Sequence, residues 1–283
     1  MPLAPRRSPG GLIRLVHPFP ILLDGIATGA VALLAGGEPE TAVRLGLAMF
    51  ALQASIGVLN DLVDAPFDAG RKPAKPIPAG LVSPAVARAV IVGAAGIGLG
   101  LTAPSGPGLV AVAGLILAIG YGYDLVAKGT AWSWVPFAIG IPLLPVFGWF
   151  GAVGGLPAPF AVLLPSAVMA GAALAIANAR ADMDRDQAAG LASVALRLGS
   201  RGAWAVEASL LAVVVVVALG SLWLASAPSL AFTASICAAL LLGAGVVLGR
   251  SSSAARWERA WELQAIGIAL LGATWLWGIG RLG

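Results

Sequence analysis

Ionisable side chains are scarce in this sequence. Only 11% of its 283 residues are Asp, Glu, Lys or Arg, against 59% hydrophobic, whereas soluble domains carry about 25% charge. A water-soluble fold is thereby excluded. Cysteine is scarcer still: the single Cys237 cannot form an intramolecular disulfide or a thiolate cluster, and its apolar setting suits a small packing residue. One histidine, His17, removes His-based zinc, haem and Ser-His chemistry. There is no aromatic-interleaved basic stretch, so nucleic acid is not an expected partner, and nothing points to a protein partner. Any chemistry must come from carboxylates and cations.

What the sequence has in abundance is apolar runs. A bilayer crossing takes about 20 such residues, and runs bounded by charge, Gly and Pro predict nine: 12–35, 41–60, 84–103, 107–127, 132–151, 159–180, 202–225, 229–249 and 259–281. The expectation is an all-α polytopic helix bundle, one membrane domain over 1–283, its first segment a retained helix and not a signal peptide. The 38 Gly and 20 Pro are compatible with this, since membrane helices tolerate both. With the N-terminus on the cytoplasmic side, fifteen of the seventeen cations fall at inner ends and only Arg44 and Arg281 at outer ones, as the positive-inside rule requires. An integral protein of the cell membrane, with its polar face toward the cytoplasm, is predicted.

Seven of the eight aspartates gather at the same inner ends: Asp61, Asp64 and Asp68, then Asp124, then Asp182, Asp184 and Asp186. Asn60-x3-Asp64-x3-Asp68 and Asn178-x3-Asp182-x3-Asp186 repeat one arrangement, with successive side chains about 6 Å apart along one helical stripe. Like charges so spaced repel, more strongly near the low-dielectric membrane. A hard divalent cation offsets that cost, and magnesium suits paired carboxylates that share it with phosphate oxygens. Solvated helix caps are the plainer alternative, less apt for two matched clusters.

Cations follow the clusters: Arg71, Lys72 and Lys75, then Lys128, then Arg180 and Arg185. They make sense beside an acidic metal site if the ligand is itself multiply anionic, as a diphosphate is; the positive-inside rule alone would also place them there. The only tyrosines, Tyr121 and Tyr123, precede Lys128 and suit either cation–π contact with a carbocation or an ordinary membrane interface. Residues 71–84, with four prolines, predict a stiff extended loop able to lid the cleft.

On these residues the chain resembles the UbiA superfamily of integral-membrane prenyltransferases. The first family motif, Asn-Asp-x2-Asp-x3-Asp, stands as Asn60, Asp61, Asp64 and Asp68; the second as Asp182, Asp186, Gly190 and Ser193, running into Leu196-Arg197-Leu198-Gly199. Tyr123-Asp124-x3-Lys128 and Pro76-Ile77-Pro78-Ala79-Gly80 also look like the family's. A departure is Lys75-Pro76 where the family commonly has Arg-Pro, which keeps the charge and loses the bidentate fork.

The resemblance implies Mg2+ held by Asp64, Asp68, Asp182 and Asp186, assisted by Asn60 and Asp61, with Arg71, Lys75 and Lys128 on the diphosphate of a polyprenyl donor. It implies ionisation to an allylic carbocation and capture by a small or lipidic acceptor of 4-hydroxybenzoate, chlorophyll-synthase or glycerophosphate-lipid type. Asp24 lies mid-membrane in the first crossing, where acids usually face cavities. With Tyr121, Tyr123 and Asn178 it is a candidate acceptor or carbocation contact, a structural hydrogen bond being its alternative. Gln53 lies on the cavity side with it, and Glu207 is expected to snorkel or pair with Arg201. A terpene cyclase and a secondary transporter are the competing function classes.

Overall fold

The computed structural model describes Leu15, residues 18–70, 72–251 and 253–279. They form ten α-helices: α1 Pro18–Leu34, α2 Pro39–Asp68, α3 Pro84–Thr102, α4 Pro107–Gly122, α5 Val135–Val153, α6 Phe160–Ala181, α7 Met183–Ala188, α8 Val194–Leu224, α9 Ser229–Leu248 and α10 Ala254–Ile279. Eight of them are long and apolar enough to cross a membrane, and α1 is a shorter apolar helix beside them. With no strand among the described residues, the molecule is the polytopic helical bundle that hydropathy predicts. In hydrocarbon each backbone amide must be satisfied within its own segment, which leaves helices as the solution for isolated apolar runs.

Several helices begin on proline, at Pro39, Pro84 and Pro107, where a missing N–H costs nothing. Ser83 caps α3 by accepting from the Val86 amide at 3.3 Å. Helix α2 runs beyond its apolar run, through Pro66 to Asp68, so the whole first acidic motif is helical, as its spacing predicts. Helix α8 differs from expectation: it starts at Val194, ahead of its apolar run, and bends at Gly199 (φ 68°, ψ 159°).

In the bundle α1 packs on α2, α5 and α10, and α6 on α5, α8 and α10. At the α1–α2 crossing a side chain on Gly46 would come within 2.9 Å of the Gly25 carbonyl; only glycine allows backbones this close. One apolar cluster, including Leu45, Met49, Leu52, Leu109 and Phe147, fills the α2–α4–α5 side, and another, including Phe160, Leu222, Leu271 and Trp275, fills the α6–α8–α10 side. Segments 72–83, 123–134, 182–193 and 249–251 meet at one end of the bundle, with Lys75 on Asp61, Lys128 on Asp64, Ala192 N–H on Gly129 O and Arg180 on Gly249 O.

Arg180 and Glu207 form a buried pair with side-chain exposures of 5% and 0%. Arg180 donates to Glu207 at 3.1 Å and to the Gly249 carbonyl at 2.8 Å, Gln264 donates to the other Glu207 oxygen at 2.7 Å, and Trp257 covers the guanidinium. Glu207 therefore pairs with Arg180 and not with the exposed Arg201, and Arg180 turns away from the acidic motif that follows it. Removing one partner of a buried pair strands the other charge, at about 3–5 kcal/mol. Glu207→Ala is expected to lower the unfolding temperature in detergent micelles markedly, whereas Arg201→Ala leaves it within about 0.5 kcal/mol of the original stability.

Candidate active site

The acidic motifs converge at this loop-rich end, but they are not equivalent. On continuous α2, Asp61 and Asp68 are seven residues apart, two turns less about 20°, and point to one side. There Lys75 bridges them, at 2.8 Å from Asp61 and 2.7 Å from Asp68. Asn60 and Asp64 face another neighbour: Asn60 donates to Asp124 at 2.6 Å and Lys128 reaches Asp64 at 2.6 Å. The second motif is not one stripe. Helix α6 ends at Ala181, Asp182 has broken geometry (φ −100°, ψ 3°), and Asp186 falls on the short α7. Arg185 ties them together, 2.6 Å from Asp182 and 3.7 Å from Asp186.

A π-helical turn, Tyr123–Ala127, ends α4 and delivers Tyr123, Asp124 and Lys128 to the space between the motifs; such turns recur at functional sites. Gly129, at φ 74°, follows it, and a side chain there would strike Leu191. Its carbonyl accepts from Ala192 N–H at 3.0 Å, so the Lys128 turn and the α7–α8 segment are held as one unit. Tyr123, Lys128, Asn178, Asp182, Arg185 and Asp186 consequently line one small cleft.

The segment after Asp68 corrects an expectation. It is not extended: Ala79 N–H reaches Lys75 O, and Leu81 and Val82 N–H both reach Pro76 O, at 2.9–3.1 Å. Proline supplies turn φ values here, and the compact turn seats Lys75 over α2. Burial by itself would lower the Lys75 ammonium, but hydrogen bonds to and the charges of Asp61 and Asp68 outweigh it and hold it above its ordinary range. Asp186 is shifted upward, chiefly by burial, with the Ser193 hydroxyl and Arg185 offsetting only part.

Behind the motifs opens a chamber of about 410 Å³, with Asn60, Tyr123 and Asp124 at its mouth and Thr28, Val217, Trp275 and Leu276 among its deeper lining. It follows α1 from Pro20 to Val31, about 16 Å of helix. Asp24 and Gln53 line it and are joined by a 2.7 Å hydrogen bond. Tyr123 stacks edge-on against Phe137 at the mouth. Tyr121 lies elsewhere: Ser55 gives its proton to the Ile91 carbonyl, so Tyr121 donates to Ser55 Oγ, at 2.6 Å, among α2, α3 and α4. Arg71 lies outside the described residues. Asp124, 4% exposed, joins the site though the acidic spacing did not select it; its signal was the Tyr-Asp-x3-Lys element.

The profile of the UbiA prenyltransferase family matches residues 25–278. The chain belongs to that family. Among curated proteins it is 30% identical over 210 residues to the digeranylgeranylglyceryl phosphate synthase of Natronomonas pharaonis, covering 72% of this chain and 75% of that one. It is 29% identical over 191 residues to the Methanopyrus kandleri enzyme of the same name, covering 66% and 69%. Among solved structures, a UbiA homologue from Archaeoglobus fulgidus bound to GPP and Mg2+ superposes with a TM-score of 0.69 at 17% identity, over 93% of this chain and 99% of that one. This UbiA chain is thus an integral-membrane prenyltransferase, and neither the cyclase nor the transporter alternative is favoured.

Magnesium chemistry fits the UbiA site's donors. Among the described residues no three carboxylate, His or Cys side chains converge on one point; the acids stand apart, Asp61 with Asp68 under Lys75, Asp64 under Lys128, and Asp182 with Asp186 under Arg185. Magnesium binds through one or two carboxylates and takes its other ligands from phosphate and water, which is what such divided carboxylates can offer.

Lys75→Met removes the bridge between the turn and α2. Amide exchange over residues 75–82 is expected to rise about tenfold or more by mass spectrometry, with 123–128 unchanged. Because the folded state raises the Lys75 pKa, the bridge is fully present below the unfolded pKa of about 10.4 and is lost only as pH rises through the higher folded value.

Proposed function

We propose that this chain, as a single membrane domain over 1–283, transfers a polyprenyl group from a prenyl diphosphate to a lipophilic acceptor in a Mg2+-dependent reaction. The observation that carries it is the gathering of both acidic motifs, held by Lys75, Lys128 and Arg185, at the end of the bundle where Asn60, Tyr123 and Asp124 line an apolar chamber. The named relatives make glyceryl phosphate lipids, and the Archaeoglobus neighbour binds GPP with Mg2+; the latter supports a diphosphate donor, and the former favour a glycerophosphate-lipid acceptor over the 4-hydroxybenzoate and chlorophyll-synthase types.

Asp64 and Asp68 on α2, with Asp182 and Asp186, are the metal-holding residues in this reading, with Asn60 and Asp61 in support. When bound, the cation supplies positive charge that neutralises a departing diphosphate. Lys128, Lys75 and Arg71 add to it. Lys75 and Lys128 rest on the carboxylates, and an incoming diphosphate offers them stronger charge-assisted partners. The leaving group takes the electron pair of the allylic C–O bond, and the charge left on carbon faces a chamber that shuts water out. Tyr123 and Asn178 stand beside that path. The acceptor forms the new bond to the allylic carbon and releases a proton. The acidic end faces the cytoplasm in this reading, consistent with the distribution of cations.

Asp64→Asn and Asp182→Asn are each expected to lower transfer from geranylgeranyl diphosphate at least about 100-fold while leaving helical circular dichroism unchanged. EDTA should abolish product and diphosphate release together, and added Mg2+ restore both. Near-normal turnover in either variant would overturn the paired-carboxylate site. For orientation, Cys237→Ser with Lys72→Cys should react with an impermeant maleimide in inside-out vesicles and not in intact cells.

A further inference from the structure

Cations at the loop-rich end divide into two sets. Lys75, Lys128, Arg180 and Arg185 are each committed to carboxylates. Arg197 and Arg201 at the start of α8, Arg250 after α9, and Arg256 and Arg259 in the first turns of α10 are all exposed and form no ion pair among the described residues. These three helices pack on one another, so the five arginines gather on one side of the bundle. Outside the buried Glu207, the carboxylates of α8, α9 and α10 are Glu258 and Glu262, which leaves the surface positive. One contact joins the set across helices. Trp204 Nε1–H donates to the Val246 carbonyl at 2.9 Å and fixes its indole between α8 and α9. The Arg250 guanidinium lies over that ring, 4.6 Å from its centre, and Arg201 is one turn before Trp204 on the same face. Arg256 and Arg259 share a face of α10, and Trp257 N–H on the Ser251 carbonyl at 2.6 Å ties the preceding loop to that helix.

We propose that the loop-side ends of α8, α9 and α10 form a binding surface for an anionic glycerophospholipid of the bilayer, its phosphate held by Arg250 and Arg201 and its acyl chains lying on exposed apolar residues such as Val206 and Val247. Positive-inside sorting accounts for cations at this end. It does not account for an arginine stacked on an indole that is itself fixed by a hydrogen bond. A stacked guanidinium keeps its N–H edge open for two parallel hydrogen bonds, the geometry that suits phosphate oxygens. Trp204, Trp257 and Trp261 stand at these same helix ends, and tryptophan marks the layer where apolar chains give way to lipid headgroups. The arginines are therefore at the depth of lipid phosphates, where each contributes about fivefold to binding an anionic lipid. The site is separate from the acidic cleft and does not depend on prenyl transfer.

Titration of the full-length protein in detergent with phosphatidylglycerol, phosphatidylcholine or inorganic phosphate, with bound lipid counted by native mass spectrometry, tests the site. Phosphatidylglycerol is expected to bind at least about tenfold more tightly than phosphatidylcholine, and inorganic phosphate not to displace it. Arg201→Gln with Arg250→Gln should weaken phosphatidylglycerol about 25-fold, the share of two arginines, with phosphatidylcholine binding and helical circular dichroism unchanged. Lys72→Gln with Arg88→Gln removes the same charge from two exposed cations beside α2 and α3, and should leave phosphatidylglycerol binding within about twofold. Should the first pair fail to fold, Arg256→Gln with Arg259→Gln leaves the Arg250–Trp204 contact in place and is expected to lower the affinity at least about fivefold. The inference is overturned if phosphatidylcholine binds as well as phosphatidylglycerol or if the folded arginine variants keep the preference. It is equally overturned if the Lys72 and Arg88 changes cost as much as the arginine pair, which makes the attraction diffuse, or if inorganic phosphate at the same concentration displaces the lipid.

Discussion

Mutual repulsion among carboxylates at the edge of a membrane is the constraint around which the acidic end of this molecule is arranged. Asp61, Asp64 and Asp68 on one helix and Asp182 and Asp186 across the break after α6 are brought together where water is limited and like charges repel strongly. Three cations hold them: Lys75 from the turn after α2 on Asp61 and Asp68, Lys128 from the turn after α4 on Asp64, and Arg185 from α7 itself on Asp182 and Asp186. The folds of those segments follow from that need. The proline turns place Lys75, the π-helical turn places Lys128, and the Gly129–Ala192 bond holds the second pair beside it. Cations bound by carboxylates are exchangeable partners, which makes the end suited to a ligand that brings its own negative charge.

The rest of the bundle separates this charged end from a chamber that has almost no charge. The Gly25–Gly46 crossing brings α1 against α2 and so lets Asp24 meet Gln53, while the buried Arg180–Glu207–Gln264 network locks the ends of α6, α8 and α10. The polarity gradient along the cavity matches a substrate with an anionic head and a hydrocarbon tail. It also makes Asp24, set within the apolar part of the chamber, conspicuous, since the bilayer offers such a group no solvent.

Much of the architecture was legible in advance because a bilayer makes secondary structure a local matter. Crossing positions, the gathering of acids at alternate helix ends and the family motifs all came from apolar run lengths and residue identity. The errors fall where locality fails. The 72–83 segment is compact because its prolines make turns around Pro76, and the stripe Asn178-Asp182-Asp186 is broken because the chain changes direction at Asp182.

The sequence alone determined how many segments suit a bilayer, which of their ends carry charge and to which family the acidic motifs belong, because hydropathy and motif spacing are properties of a continuous stretch of chain. Tertiary structure decided the partners: Lys75 across Asp61 and Asp68, Arg180 turned away from the acidic motif to the buried Glu207, Tyr121 tied to Ser55 outside the chamber, and Asp24 set against Gln53 within it. Partnership depends on how far each helix is rotated about its axis and on how closely its neighbours approach, and those quantities are set only when all the helices pack together.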